Sequence, residues 1–480
     1  MKYLKIGVAV AGAAATVAAV TVAALSPAQH TAGTVAASTV SSDSASALRA
    51  SILDGSLWRT HKVVNSCAGP KKYRIGCDFG LVAASGDASK PASTTEPAGL
   101  GPYDLARAFH LPAGKGKGGT VGIVTMAHHP SLESDLAAYR KQYGLPACTA
   151  ANGCLKVVGE NGGKPPATTV RLPLLSQLAQ SYTLETAMDV EMVSAACPNC
   201  KILVVEQPIE PASIAAGAAG FPQLDAQHEA NATNTAIKLG ADAVSISYFI
   251  GNGMQSDILT EGALPERMHH PGVPILSAAG DLGFLGTKPK DQNWPQQLPF
   301  VISAGGVELT SADGGQTFTK KAWGKVEGGQ KYMSSSSGCS TTLPPANRQP
   351  ASVAKLCQGH RATTDISAAA SGLTIYDTYW PTASADPVGG WGVGVGTSAA
   401  SPYLAGLFVR AGAAKKVSGP NTIYRAPRGA IEDVTTGSNM ENGAEGCGDA
   451  PTVLCVAGPG WDGPTGVGVP NGLGAFRPAS

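Results

Sequence analysis

Thr183-Leu184-Glu185-Thr186-Ala187-Met188-Asp189-Val190-Glu191-Met192-Val193-Ser194-Ala195-Ala196 runs into Cys197-Pro198-Asn199-Cys200 and then Lys201-Ile202-Leu203-Val204-Val205. Leu184, Met188 and Met192 recur every four residues, the spacing of one helix face. The Cys-Pro-Asn-Cys break then leads into a short apolar, β-branched run of the kind that forms a buried strand. The same alternation recurs along the chain. Thr120–Val124, Ala243–Ser247 and Val273–Ser277 read as strands, and Leu132–Tyr139 and Glu229–Leu239 as helices. Short buried strands alternating with helices make βαβ units, so the expected fold is α/β: a doubly wound, mostly parallel sheet with helices on both faces. From Asp291 onward, Gly, Pro and Ser mark longer loops, so the C-terminal part is expected to be loop-rich.

The 480 residues are 43% hydrophobic and only 14% charged, with a net charge of +1 and no basic tract. That balance excludes nucleic acid or an acidic membrane surface as the expected partner. Lys2 and Lys5 followed by the Ala- and Val-rich run Ile6–Leu25 and the small residues Ser26-Pro27-Ala28 read as a signal peptide over 1–28. A membrane anchor is the competing reading, disfavoured by the weakly apolar Ala/Gly content and the lack of a basic stop-transfer cluster. Residues 29–98, rich in Ala, Ser, Thr and Gly, read as a leader, short propeptide or linker, and 99–480 as the main domain. The ten cysteines fall into the couples Cys67/Cys77, Cys148/Cys154, Cys197/Cys200, Cys339/Cys357 and Cys447/Cys455. In an exported chain, local disulfides are the simplest pairing. A second CxxC that would complete a zinc site is missing.

Three segments carry reactive side chains. Gly396-Thr397-Ser398-Ala399-Ala400-Ser401-Pro402 follows a Gly-rich run and precedes the apolar helical stretch from Tyr403. A serine at the mouth of a helix sits among unpaired N–H groups that could bind an oxyanion; the plain alternative is a helix cap, with Ser401 at N-cap and Pro402 at N1. Glu185 and Asp189 are four apart and share a helix face, where two close carboxyls share a proton; an exposed acidic face is the commoner origin of such a pair, and Glu191 is expected to be solvated. Asp281, in Ser277-Ala278-Ala279-Gly280-Asp281-Leu282-Gly283, follows a buried strand, where open α/β sheets bind ligands, although Gly-Asp-x-Gly is also ordinary turn chemistry.

Gly396-Thr397-Ser398 with Pro402 resembles the nucleophile motif of subtilisin-like peptidases, whose other members are an Asp closing the first strand and a His-Gly-Thr. Here the first strand ends Ile123-Val124-Thr125, no His-Gly-Thr occurs, and His128 and His129 lie in a Pro-bounded loop that suits a solvated or capping role. All three segments together, in this order, resemble the sedolisin (serine-carboxyl peptidase) family over roughly residues 100–475. The resemblance implies a subtilisin-like fold with Ser398 as nucleophile, Glu185 as base, Asp189 as its helper and Asp281 as the oxyanion-hole acid. It also implies one structural calcium ion, Ca2+, held by the side chains of Asp433 and Asp462 and the carbonyls of Val434, Gly458 and Gly460. The implied protein is a secreted, monomeric serine-type endopeptidase, off the membrane after signal removal, hydrolysing proteins or peptides at acidic pH through an acyl-enzyme; the alternatives are a catalytically inactive secreted binding module of the same fold or a His-dependent subtilisin-like hydrolase. The chain departs from the family in Val395, where Ser or Gly is usual, in Ala279, and in the shortness of 29–98 against a large folded propeptide.

Overall fold

Along each central strand, successive side chains enter two different apolar clusters. The computed structural model describes residues 44–477 except 66–74, 167–172, 210–221, 251–263, 288–292, 329–330, 381–387, 413–415, 441–442 and positions 78, 86, 115 and 325. The signal peptide expected over 1–28, and Cys67 of the first cysteine couple, lie outside those residues.

The elements that build the site are, in chain order, helix α1 (Ala45–Leu53), strands β1 (Val63–Asn65), β2 (Gly80–Ala84) and β3 (Thr120–Met126), helix α2 (Leu132–Gln142), β4 (Leu155–Gly159), α3 (Pro173–Ala196) and β5 (Lys201–Gln207). They continue with α4 (Pro222–Lys238), β6 (Ala243–Ile246), β7 (Ile275–Ala278), β8 (Ile302–Thr310), β9 (Thr319–Ala322), β10 (Ile366–Ala369), β11 (Ser371–Trp380), β12 (Val388–Val395) and α5 (Ala400–Ala411). An eight-stranded sheet runs β9-β8-β7-β6-β3-β5-β4, with β10 also on β8. All its pairings are parallel except the β8–β9 hairpin.

Val121 and Ile123 of β3 and Ile202 and Val204 of β5 face the cluster that holds Leu184, Met188 and Leu404. Val124, Leu203 and Val205 face the other, against Ala226, Ala230 and Ala236 of α4. A strand buried on both faces needs apolar residues at both parities, which is why these runs read as continuous rather than alternating. Helices therefore cover both faces, as the sequence implied. Observed helices extend the expected ones, because tertiary burial carries helix past the strongly periodic positions.

Helix α3 is buried at every residue from Tyr182 to Ala196. It is sandwiched between the large sheet, α5 and β11 of a second sheet, which runs β1-β2-β12-β11. Close approach to α5 depends on small residues: a Cβ on Gly406 would come within 2.7 Å of Ala196 Cβ.

The segment expected as a leader is folded from Ser44 on. Leu48, Ile52 and Leu53 of α1 enter the main cluster, and β1 and β2 join the second sheet. Their pattern escaped notice because each element is short and set among small polar residues. Disulfides close Cys148–Cys154, Cys197–Cys200, Cys339–Cys357 and Cys447–Cys455. Among the described residues no helix is long and apolar enough to cross a membrane.

Candidate active site

The chain leaves β7 through Gly280, whose φ of +108° is open to glycine, and this turn presents Asp281 beyond the strand's carboxyl end. Gly396, at φ +150°, makes the matching turn after β12. The next residues, Thr397–Ala399, form a 3-10 turn that runs directly into α5. The helix thus starts before Ser401, which is not its cap; Ser401 Oγ lies 2.8 Å from Ser245 Oγ instead. Ser398 itself is fully buried in the turn.

Two hydroxyls tie the predicted acids to this turn. Thr397 donates both its N–H and its Oγ1–H to Asp281 Oδ1, each at 2.8 Å. Ser247, the residue after β6, donates to Asp189 Oδ1 at 2.7 Å and also lies 3.2 Å from the carbonyl oxygen of Ser398. Glu185 sits one helical turn before Asp189, fully buried on α3, which packs against the Thr397–Ala399 turn. Next to Ser247, the buried Tyr248 hydroxyl lies within the fields of Glu185 and Asp189. Its Oη is 2.9 Å from Thr125 Oγ1, which in turn is 2.5 Å from Thr186 Oγ1. Ser398, Glu185, Asp189 and Asp281 therefore gather at the carboxyl edge of the sheet. Sequence reasoning gave Ser247, Thr397 and Thr125 no role of their own; the signals were Thr397's place in the Gly-Thr-Ser motif and the places of Ser247 and Thr125 by strand ends.

Burial dominates the electrostatics. It pushes the carboxyl of Asp189 well above the ordinary range, against the bond from Ser247. It pushes Asp281 up to about 7, against the two bonds from Thr397. Both groups hold protons at acidic pH, because an ion is costly where solvent is excluded.

The two histidines face elsewhere. Ala127, at φ +60°, turns the chain so that His128 Nδ1 meets Glu206 Oε2 at 2.8 Å, and burial pushes Glu206 up to about 8. His129 is not solvated: it is buried with Asp135 and Asp377 in a group whose ligand-type atoms lie within 4.8 Å. Ser131 N–H donates to His129 Nδ1 at 3.1 Å, so in the neutral ring Nε2 carries the proton and donates to Asp377 Oδ1 at 3.2 Å. A protonated Nε2 has no lone pair for a metal, so the group is a hydrogen-bonded one. Glu191, expected in solvent, is 1% exposed; both its oxygens accept the Tyr376 N–H, at 3.2 Å. The second sheet covers that side of α3, which a single helix's periodicity does not reveal.

The predicted calcium residues form one loop cluster. Gly460 N–H donates to Asp433 Oδ2 at 2.8 Å, and Gly458 N–H to Asp462 Oδ2 at 3.1 Å. Val434 is buried beside the exposed Asp433. Asp462 is fully buried, and burial together with the Asp433 charge pushes it up to about 7. Two carboxylates on one Gly-rich loop cluster, the charge of Asp433 bearing on the buried Asp462, fit a hard cation, which would relieve their repulsion.

No protein-family model matches the chain. It is 26% identical over 411 residues to kumamolisin of Bacillus sp. (strain MN-32), covering 81% of this chain and 65% of the relative, so it spans about two thirds of that protein's length. Its fold is similar to that of Pseudomonas sedolisin, a serine-carboxyl proteinase solved with two molecules of pseudo-iodotyrostatin, at a TM-score of 0.54 and 20% identity, over 78% of this chain and 95% of that one.

Proposed function

We propose that this chain, which resembles the sedolisin (serine-carboxyl peptidase) family in sequence and in fold, is a secreted serine-type endopeptidase that works at acidic pH. The observation that carries the reading is the Ser247 bridge, which joins Asp189 to the backbone of Ser398 while Thr397 joins Asp281 to the same turn. Ser398 Oγ attacks the scissile carbonyl carbon as Glu185 takes its proton, and Asp189 orients Glu185. Protonated Asp281 donates a hydrogen bond to the oxyanion, and the N–H groups at the start of α5 add to that stabilisation. The proton on Glu185 passes to the leaving amine, leaving an acyl-enzyme on Ser398. Water attacks the ester through the reverse transfers and frees the acid. Asp433 and Asp462, with the carbonyls of Val434, Gly458 and Gly460, would hold a calcium ion, which when bound supplies charge neutralisation to the loop. The signal-like N-terminus and the disulfides support secretion, and the reading takes the chain as a monomer acting on protein or peptide substrates.

The pH–rate profile on a denatured protein, with products read by mass spectrometry, tests the reading. Activity is expected to be high in acid and to fall as pH rises through about 7, where Asp281 loses its proton. A rate that climbs through neutrality to an alkaline optimum would overturn it, since a His-dependent hydrolase behaves that way.

A further inference from the structure

The two oxygens of Asp281 are not equivalent. Oδ1 accepts two short bonds from one residue, the N–H and the Oγ1–H of Thr397. Thr397 Oγ1 in turn accepts the N–H of Gly280, at 3.1 Å, so its own proton is committed to Asp281. An amide N–H can only donate, and an oxygen that receives it along with a hydroxyl proton is poorly suited to carry a proton itself. We propose that Thr397 is a positioning residue for Asp281, taking up Oδ1 so that the acid proton is carried on Oδ2.

The inference rests on the peptidase reading and gives Thr397 a role in it distinct from that of its neighbour Ser398. A carboxyl donating to an oxyanion must present its hydrogen from one defined oxygen, because a carboxyl that can exchange the roles of its oxygens wastes part of its population. Closure of the ring Gly280–Thr397–Asp281 removes that ambiguity. It also couples the acid to the nucleophile, since the residue that orients Asp281 immediately precedes Ser398 on the same 3-10 turn. The competing account is a cap: Asp281 would accept from the start of a turn merely to stabilise it. A cap works best as an anion, whereas burial here favours the protonated acid, and the Thr397 bonds hold that tendency in check.

The full chain with Thr397→Val, Thr397→Ala and Thr397→Ser separates the two accounts, with melting temperature and circular dichroism recorded for each. Loss of Oγ1 removes a bond to the anion, so the alkaline limb of kcat is expected to move up by about half to one pH unit in the Val and Ala variants. Their kcat should fall roughly tenfold or more with KM nearly unchanged. Thr397→Ser should restore both the limb and most of kcat. Should the Val variant not fold, the smaller Ala variant carries the measurement. A limb that stays in place in a folded Val or Ala variant, while Asp281→Asn is inactive, overturns the inference and leaves the peptidase reading standing. An inactive wild type, or Asp281→Asn as active as wild type, overturns the reading itself and the inference with it.

Discussion

Helix α3 carries buried acids on two sides. Asp189 and Glu191 are two residues apart, about 200° around the axis, and so point in nearly opposite directions. On the Asp189 side the partners are hydroxyls: Ser247 to Oδ1, with Tyr248 close by, while Asp189 Oδ2 accepts nothing among the described residues. On the Glu191 side each acid takes a main-chain N–H of one strand, to which Asp135 adds the Thr378 hydroxyl and Asp377 adds His129 Nε2. Tyr376 N–H goes to Glu191, Thr378 N–H to Asp135 Oδ2 at 3.1 Å, and Tyr379 N–H to Asp377 Oδ1 at 2.7 Å. Burial pushes Glu191 well above the ordinary carboxylate range and raises Asp135 as well, so a displaced pKa is common to both sides. What separates them is the kind of partner. The Ser247 hydroxyl can rotate and pass a proton, whereas β11 gives each of its acids a main-chain N–H and so secures α3 to the second sheet.

Removing Ser398 or Glu185 tests the hydroxyl side most severely. Ser398→Ala and Glu185→Ala should each lower kcat by roughly four to six orders of magnitude, with the double variant scarcely worse, because such groups act as a unit. Full activity in Glu185→Ala would move the base elsewhere. On the backbone side activity per folded molecule should survive and stability should not. Asp377→Ala strips the acceptor from His129 Nε2 and Tyr379 N–H, and should cost about 3 kcal/mol in denaturant unfolding. Asp377→Asn should cost much less, and equal losses in the two variants would mean that the bonds are not what matters.

The loop acids offer a third, smaller contrast, since Asp462 is buried like Glu191 yet faces a second carboxylate. Calcium a hundredfold above its Kd should stabilise the chain by about 2.7 kcal/mol. A chelator should remove that gain in wild type and leave Asp462→Ala unaffected; an equal shift in both would misplace the site.

The last contrast concerns pH. Glu191 and Asp135 bind protons more tightly in the fold than in the unfolded chain. Their contribution to stability is therefore complete below the ordinary carboxylate value near 4 and is lost as pH rises through the raised values. Glu191→Gln should flatten that decline in a melting series from pH 4 to 8. An unchanged slope would assign the decline to other groups, Asp281 and Glu206 first.

The alternation of strands and helices, the placing of Glu185 and Asp189 one turn apart on one helix and the serine just before a helix were all legible in the chain, because strand period, helix period and Gly-bounded turns are set by residues close in sequence. The couples Cys148/Cys154, Cys197/Cys200, Cys339/Cys357 and Cys447/Cys455 were legible for the same reason. Local pattern does not tell which side of a buried helix meets solvent. Glu191 and Asp189 stand in the same apolar helix, and only a strand arriving from residues 371–380 makes Glu191 a buried anchor. The roles of Ser247 and Thr397, the burial of His129 and the folding of residues from Ser44 onward likewise depend on segments tens to hundreds of residues away. Tertiary structure decided these, because the energy of burying a polar group depends on the partner that arrives to meet it.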